Sequence, residues 1–267
     1  MRKPRTYLPI VLCALALTLP TNTTTKSLWN SISTFFTPDE KKSRSESIPF
    51  TTGTITIKNQ TGRIEVKSWN KPEILLETVI KGSQEKIECT HVTHKKSGNQ
   101  LTIETKTLCA EAALPVTYYI TVPTKASLVI EQEQGPLLIN DVGGALTLQT
   151  DSGSIEVENA QDSVIAKAPR GHISVDTAQL LPSMSLFLES GSGINLTLPA
   201  HPNAEISAQS ANGFVNIDFD VTLKAKTVKI NKKEWNLQRR CIEGTIGRGG
   251  ASIVLSTIDR AINVSER

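Results

Sequence analysis

Six carboxylates recur within a short span of this chain: Asp151, Glu156, Glu158, Asp162, Asp176 and Glu189. Acids brought into one groove could cleave a sugar polymer as paired general acid and base, or could share a cation. That chemistry needs a row of them on one face, and the row does not continue: eighteen residues after Glu156 stands Ser174. The histidines offer less. His91 and His94 are three apart on an expected strand, which points them to opposite faces and makes a poor metal pair. His172 and His201 read as surface side chains. "GTIGRGG" lacks the Lys-Ser/Thr and the helix of a phosphate-cradling loop, and "SGSG" lacks the strand-to-helix setting of a nucleophilic serine. The sequence therefore implies no catalytic residue, no metal site and no cofactor.

Three cysteines lie beyond the N-terminal segment. "HKKSGNQLTI" has the form of a hairpin turn, and folding the chain about residue 99 sets Cys89 opposite Cys109. Cross-strand neighbours can bond, so this pair is a candidate disulfide, with two small buried thiols as the alternative. Cys241 is left over, with no His or Asn pattern beside it.

The elements that would position these groups are strands. From about residue 49 onward the chain alternates apolar and polar residues with period two, and no stretch keeps helical periodicity for three turns. A repeat governs the alternation. Numbered from a glycine, apolar residues stand at −7, −5, +2 and +4: Leu146, Leu148, Ile155 and Val157 about Gly153, then Val164, Ala166, Ile173 and Val175 about Gly171. Gly62, Gly135 and Gly213 carry the same frame, and Arg260 holds the glycine place in another copy. In "SLFLESGSGINLTL" Gly191 and Gly193 compete for the place, and Gly193 is taken as the corner. Each glycine is expected to mark a bend at which positive φ is tolerated. A single lap buries too few side chains to offset the entropy of ordering its backbone, so laps must stack. The expected fold is all-β: a right-handed β-solenoid, or β-helix-like stack, of short Gly-cornered strands, with residues 72–122 open to an antiparallel, sandwich-like arrangement.

The residues also resemble a known family. "GTITIKNQTGRIEVKSWNKPEILLET", "NQLTIETK" followed by "PVTYYITVP", and "SGSGINLTLPAHPNAEISAQSANGFVNIDF" are similar to successive blocks of the putative adhesin domain family, a Gly-patterned β-helical domain of bacterial type. The likeness covers about residues 50–264. It implies an extracytoplasmic β-helical protein and supplies no catalytic residues.

Residues 1–20 look like an export signal: Arg2, Lys3 and Arg5 precede an apolar run, Leu8 to Leu19, too short to span a bilayer. Residues 21–48 read as a Thr/Ser-rich and then charged tether, with an apolar patch from Leu28 to Phe36 that suits a membrane surface. Residues 49–267 read as the β domain, interrupted by a basic insertion at 228–250. That domain is nearly neutral although the whole chain is +3, which excludes a nucleic-acid footprint. The function these features suggest is a non-enzymatic, exported protein, periplasmic or at the cell surface, that engages a surface, a glycan or an envelope protein. The alternatives are a β-helix polysaccharide lyase or hydrolase using clustered acids, and a self-associating envelope structural or sensory protein, which unpaired strand edges at a terminal coil would favour.

Overall fold

The inward apolar pairs of each repeat become two short strands joined by a corner. The structure, a computed structural model, describes residues 40–109, 113–224 and 240–267. In chain order the strands are β1 (Glu40–Pro49), β2 (Thr54–Thr61), β3 (Ile64–Trp69), β4 (Glu73–Gly82), β5 (Thr90–Ser97), β6 (Gln100–Thr107), β7 (Val116–Pro123), β8 (Ser127–Gln134), β9 (Leu137–Asn140), β10 (Leu146–Ser152) and β11 (Ile155–Ala160). They continue with β12 (Val164–Ala168), β13 (Ile173–Thr177), β14 (Ser185–Ser190), β15 (Ile194–Leu198), β16 (Ala204–Ser210), β17 (Val215–Ile217), β18 (Val221–Leu223), β19 (Cys241–Ile246), β20 (Ala251–Thr257) and β21 (Ile262–Glu266). One short helix, α1 (Gln84–Cys89), precedes β5.

From β7 to β18 successive strands alternate between two sheets. Among the described residues one sheet runs β1-β4-β7-β3-β9-β11-β13-β15-β21-β17, and the other β18-β19-β16-β20-β14-β12-β10-β8-β2-β6-β5. From β8 to β15 the laps stack in chain order, parallel and in register: Leu128, Leu146, Val164 and Leu186 share one rung, and Leu137, Ile155, Ile173 and Ile194 another. All eight are buried and belong to a single apolar core between the sheets. This is the β-solenoid, and Ile155 and Ile173 meet as its stacking requires.

Chain order breaks at both ends. The pair β6/β7 lies outside β2/β3, and β20/β21 is inserted between β14/β15 and β16/β17. Within 72–122 parallel and antiparallel pairings mix: β4 is antiparallel to β7 and β5 to β6, while β6 and β7 run parallel to β2 and β3. The antiparallel strands cap the same two sheets.

Two sequence boundaries are corrected. Residues 40–48, taken as tether, form β1, antiparallel to β4. Period-two apolar alternation is missing there because its inward-parity residues Lys42 and Arg44 lie beyond the covered core and stay exposed. Cys241–Ile246, taken as basic insertion, is β19, antiparallel to both β16 and β18. The export-like run, the apolar patch at 28–36 and the rest of that insertion up to residue 239 lie outside the described residues.

The corner glycines are required for a reason other than the expected one. Of the slot glycines, only Gly62 and Gly135 have clearly positive φ, at 130° and 123°. What the others share is close approach between laps. A Cβ on Gly171 would lie 1.6 Å from the Gly153 carbonyl oxygen, and one on Gly153 2.0 Å from that of Gly135. No side chain fits where backbone stacks on backbone. Gly213 is held in the same way, with the Arg260 carbonyl oxygen 2.3 Å from where its Cβ would be. Gly193 is displaced from its assigned role. The register Ile173–Ile194 puts Ser192 in the slot, where Ser192 N donates to Gly171 O at 3.1 Å, because this corner is one residue shorter than the others.

A second ladder runs inside the corner. Three residues before each slot glycine stand Asn59, Gln132, Thr150 and Ser210, with Thr257 three before Arg260 and Ser190 two before Ser192, all buried. Their side chains donate to carbonyls of the bend: Gln132 Nε2 to Gly62 O at 2.6 Å, Thr150 Oγ1 to Gly135 O at 3.2 Å, Ser190 Oγ to Gly171 O at 2.7 Å and Ser210 Oγ to Arg260 O at 3.0 Å. Buried carbonyls need such partners. At Ala168 the ladder is interrupted. The signal was present in the sequence as a polar residue at −3 of nearly every copy.

Candidate functional site

Because parallel laps stack in register, outward side chains also fall into rows with a rung spacing of roughly 4.8 Å. One such array is the outer face of the eleven-stranded sheet. Its middle row reads Thr56, Val129, Thr147, Ile165, Phe187, Val254 and Ser207. Ile165 is 41% exposed. On one side runs a charged and amide row: Glu104, Lys58, Glu131, Gln149, Lys167, Glu189, Ser256 and Gln209. On the other are hydroxyls, Thr54 beside Ser127 and Ser185 beside Ser252, with the Ser163 hydroxyl accepting from Ser185 N at 3.0 Å.

The charges in the polar row are matched. Lys58 Nζ lies 2.8 Å from Glu131 Oε2, and that hydrogen bond is the main cause of the raised Lys58 pKa. Lys167 Nζ is 3.6 Å from Glu189 Oε2 and 5.5 Å from the centre of the Phe187 ring. A half-buried aliphatic and aromatic stripe, exposed at Ile165, between hydroxyls and paired charges can pack against an apolar surface while hydrogen-bonding along both margins. Beside the charged row, Lys58, Gln60, Glu131, Glu133, Gln149 and Asp151 line an open groove of about 350 Å³.

The six carboxylates of the sequence do not form one array. Asp151 and Glu189 lie on the face just described, and Asp162 Oδ1 accepts from the backbone of Ser163 at 2.6 Å. Glu156, Glu158 and Asp176 do come together, with Asp141 and Arg267, in an open groove of about 390 Å³ on the ten-stranded sheet. There Asp176 pairs with Arg267 at 3.4 Å, and Asp141 Oδ1 accepts from Asn159 Nδ2 at 2.6 Å. Glu156 and Glu158 stand exposed on alternate positions of β11. Among the described residues no three His, Cys, Asp or Glu side chains converge as a metal site. His91 lies opposite Lys106, His94 Nδ1 is 3.7 Å from Glu46 Oε2, and His201 occupies a loop with φ of 56°.

Cys89 and Cys109 are joined in a disulfide with Cα atoms 5.6 Å apart. The hairpin pairs Thr90 with Thr107 about a two-residue turn, so Cys109 is one residue beyond the position opposite Cys89. Cys89 ends α1, and Leu108 N donates to its carbonyl at 2.9 Å. Cys241 is exposed and free. No described helix is long and apolar enough to cross a membrane.

Comparison with known proteins bears on the fold. A family model described as Toastrack DUF4097 matches residues 17–264. The crystal structure of a putative cell adhesion protein from Clostridium sporogenes ATCC 15579 aligns over 85% of this chain and 100% of its own, at a TM-score of 0.51 and 10% identity. That likeness is one of fold. Putative adhesins from Bacteroides fragilis NCTC 9343 (9% identity, 84% and 98% covered, TM-score 0.30) and Parabacteroides distasonis ATCC 8503 (10%, 85% and 97%, 0.25) also align. No curated protein matches the sequence.

Proposed function

The chain belongs to the Toastrack DUF4097 family of β-solenoids, and from that premise we propose that it is a non-enzymatic, extracytoplasmic attachment protein. Its contact surface is the outer face of the eleven-stranded sheet, and its partner a glycan or another extended component of the cell envelope. The observation that carries this reading is the triple row on that face, with Ile165 and Phe187 at its centre. A repeating array suits a repeating ligand better than a compact one, because each further rung adds similar contacts again.

Two features support the reading. The Cys89–Cys109 disulfide fits an oxidising compartment, and a structural relative with the same fold is described as a putative cell adhesion protein. The sugar-cleaving alternative requires a carboxyl group kept protonated by burial. In the four-acid groove Glu156 and Glu158 stand in open solvent.

The test is to pass the purified protein over immobilised glycans and envelope extracts, beside an Ile165→Glu/Phe187→Glu double variant and a Thr197→Glu control on the opposite sheet. Binding lost only in the double variant supports the assignment. Binding equal in all three proteins, or absent from the unaltered one, overturns it.

A further inference from the structure

The outer face of the ten-stranded sheet carries a different row. Asn195 (β15), Asn263 (β21) and Asn216 (β17) occupy one register line, and their amides are chained head to tail. Asn216 Nδ2 donates to Asn263 Oδ1 at 2.9 Å, and Asn263 Nδ2 donates to Asn195 Oδ1 at 3.0 Å. At the inner end Asn195 Nδ2 lies 3.2 Å from His172 Nε2. Since the amide nitrogen can only donate, Nε2 must accept, which requires a neutral imidazole with its proton on Nδ1. The other side of the ring meets the Gly193 backbone, which hydrogen-bonds it. Every bond in the chain thus points the same way, from the open edge of the sheet toward His172, and among the described residues Asn216 Oδ1 is left at the outer end as an acceptor.

We propose that protonation of His172 reverses this chain, turning the exposed end of the row at Asn216 from a hydrogen-bond acceptor into a donor. The proton placed on Nε2 would face the Asn195 NH₂ group, donor against donor. Rotation of the Asn195 amide by half a turn relieves that contact but opposes its NH₂ to that of Asn263, which must rotate in turn, and so must Asn216. No bond is lost in the reversed chain, so the rotation costs little beyond the proton itself. The charged side chains facing His172 are Arg260, from the corner before β21, and Glu156, from β11. Burial is the largest influence on the ring and Arg260 adds to it, both holding the pKa below the usual 6.5 against the opposing effects of the Gly193 hydrogen bond and Glu156. The reversal therefore belongs to mildly acidic conditions, and a partner that donates to Asn216 at neutral pH would be met by a donor instead. This inference is independent of the attachment surface on the other sheet.

The test is a pH titration of isotope-labelled protein, following the imidazole of His172 and the Nδ2 resonances of the three asparagines by NMR. The expected result is a common midpoint below 6.5 for all four groups. In Asn263→Ala, Asn195 should still titrate with His172 while Asn216 no longer moves; in His172→Phe none of the three amides should titrate. A static Asn216 in the unaltered protein, or an Asn216 that still titrates in Asn263→Ala, would overturn the proposal. The Asn263→Ala comparison keeps the test decisive if His172→Phe does not fold.

Discussion

The middle of the stack and its C-terminal end are built from the same inward pattern but obey different rules of assembly. Between β8 and β15 each lap lies on the one before it, and the slot residues from Gly135 to Gly171 are glycines in near-contact with the preceding lap. At the end, β20/β21 sits between two laps that precede it in the chain, and its slot holds Arg260. The apolar rungs accept any lap of the right shape, whatever its place in the sequence. What separates the two regions is the corner. Where a lap stacks on a full-length corner, a carbonyl of that corner fills the space of the next slot's Cβ; the shortened corner at 190–194 holds Ser192 in its slot, and the lap stacked on it holds Arg260.

Breaking the corner should show this difference most strongly. Gly171→Ala places a Cβ against the backbone of Gly153, which cannot move aside, and should cost about 3 kcal/mol or more by urea denaturation. Gly193→Ala, whose nearest neighbours would be 3.2 Å away, should cost well under half as much. Equal costs would mean that the stacked slot is not what the glycines serve. Next in size is the N-terminal cap. Replacing Cys89 and Cys109 by Ser opens a loop of 20-residue separation and should lower stability by about 2–3 kcal/mol. Hydrogen exchange should locate that loss in α1, β5 and β6, leaving β10 to β13 protected.

The inner polar ladder gives a smaller effect. Ser190→Ala removes the hydroxyl that donates to the Gly171 carbonyl and accepts from Ser192 N, and should cost about 1 kcal/mol, while Ala168→Ser, at the gap in the ladder, should be neutral or slightly stabilising. The smallest effect is that of pH. His172 is depressed in the folded chain, so between its lowered pKa and 6.5 the unfolded chain binds more protons and stability rises with pH. Below that window the penalty is constant. The slope should vanish in His172→Phe, which denaturation midpoints at several pH values would reveal.

The solenoid itself was legible because period-two pairs and laps of eighteen residues specify which side chains face inward and which rungs align. Stacking order was not legible, since Ile253 and Leu255 satisfy the frame equally well beside Leu186 or beyond Ile206. β1 was hidden by its own role. An edge strand guarded by Lys41, Lys42 and Arg44 carries the charges that discourage further pairing and so loses the apolar alternation by which strands are recognised. The outer stripe through Ile165 and Phe187 stood in the same frame, at −6 of one glycine and beside Leu186 in the next lap, but single exposed apolar residues acquire meaning only when register shows them adjacent. The asparagine row needed more: Asn195, Asn216 and Asn263 become neighbours only through the out-of-order insertion.

That insertion bears on how the protein comes to be folded. The lap at residues 204–217 leaves the ribosome before residues 251–266, yet its parallel neighbours in both sheets are supplied by the later segment. While the earlier laps can zip up one upon another as they emerge, this one must wait, its apolar faces without a seat. Completion is thereby deferred to a late docking event, and a chain held or threaded elsewhere before that event would arrive with its final quarter still unassembled.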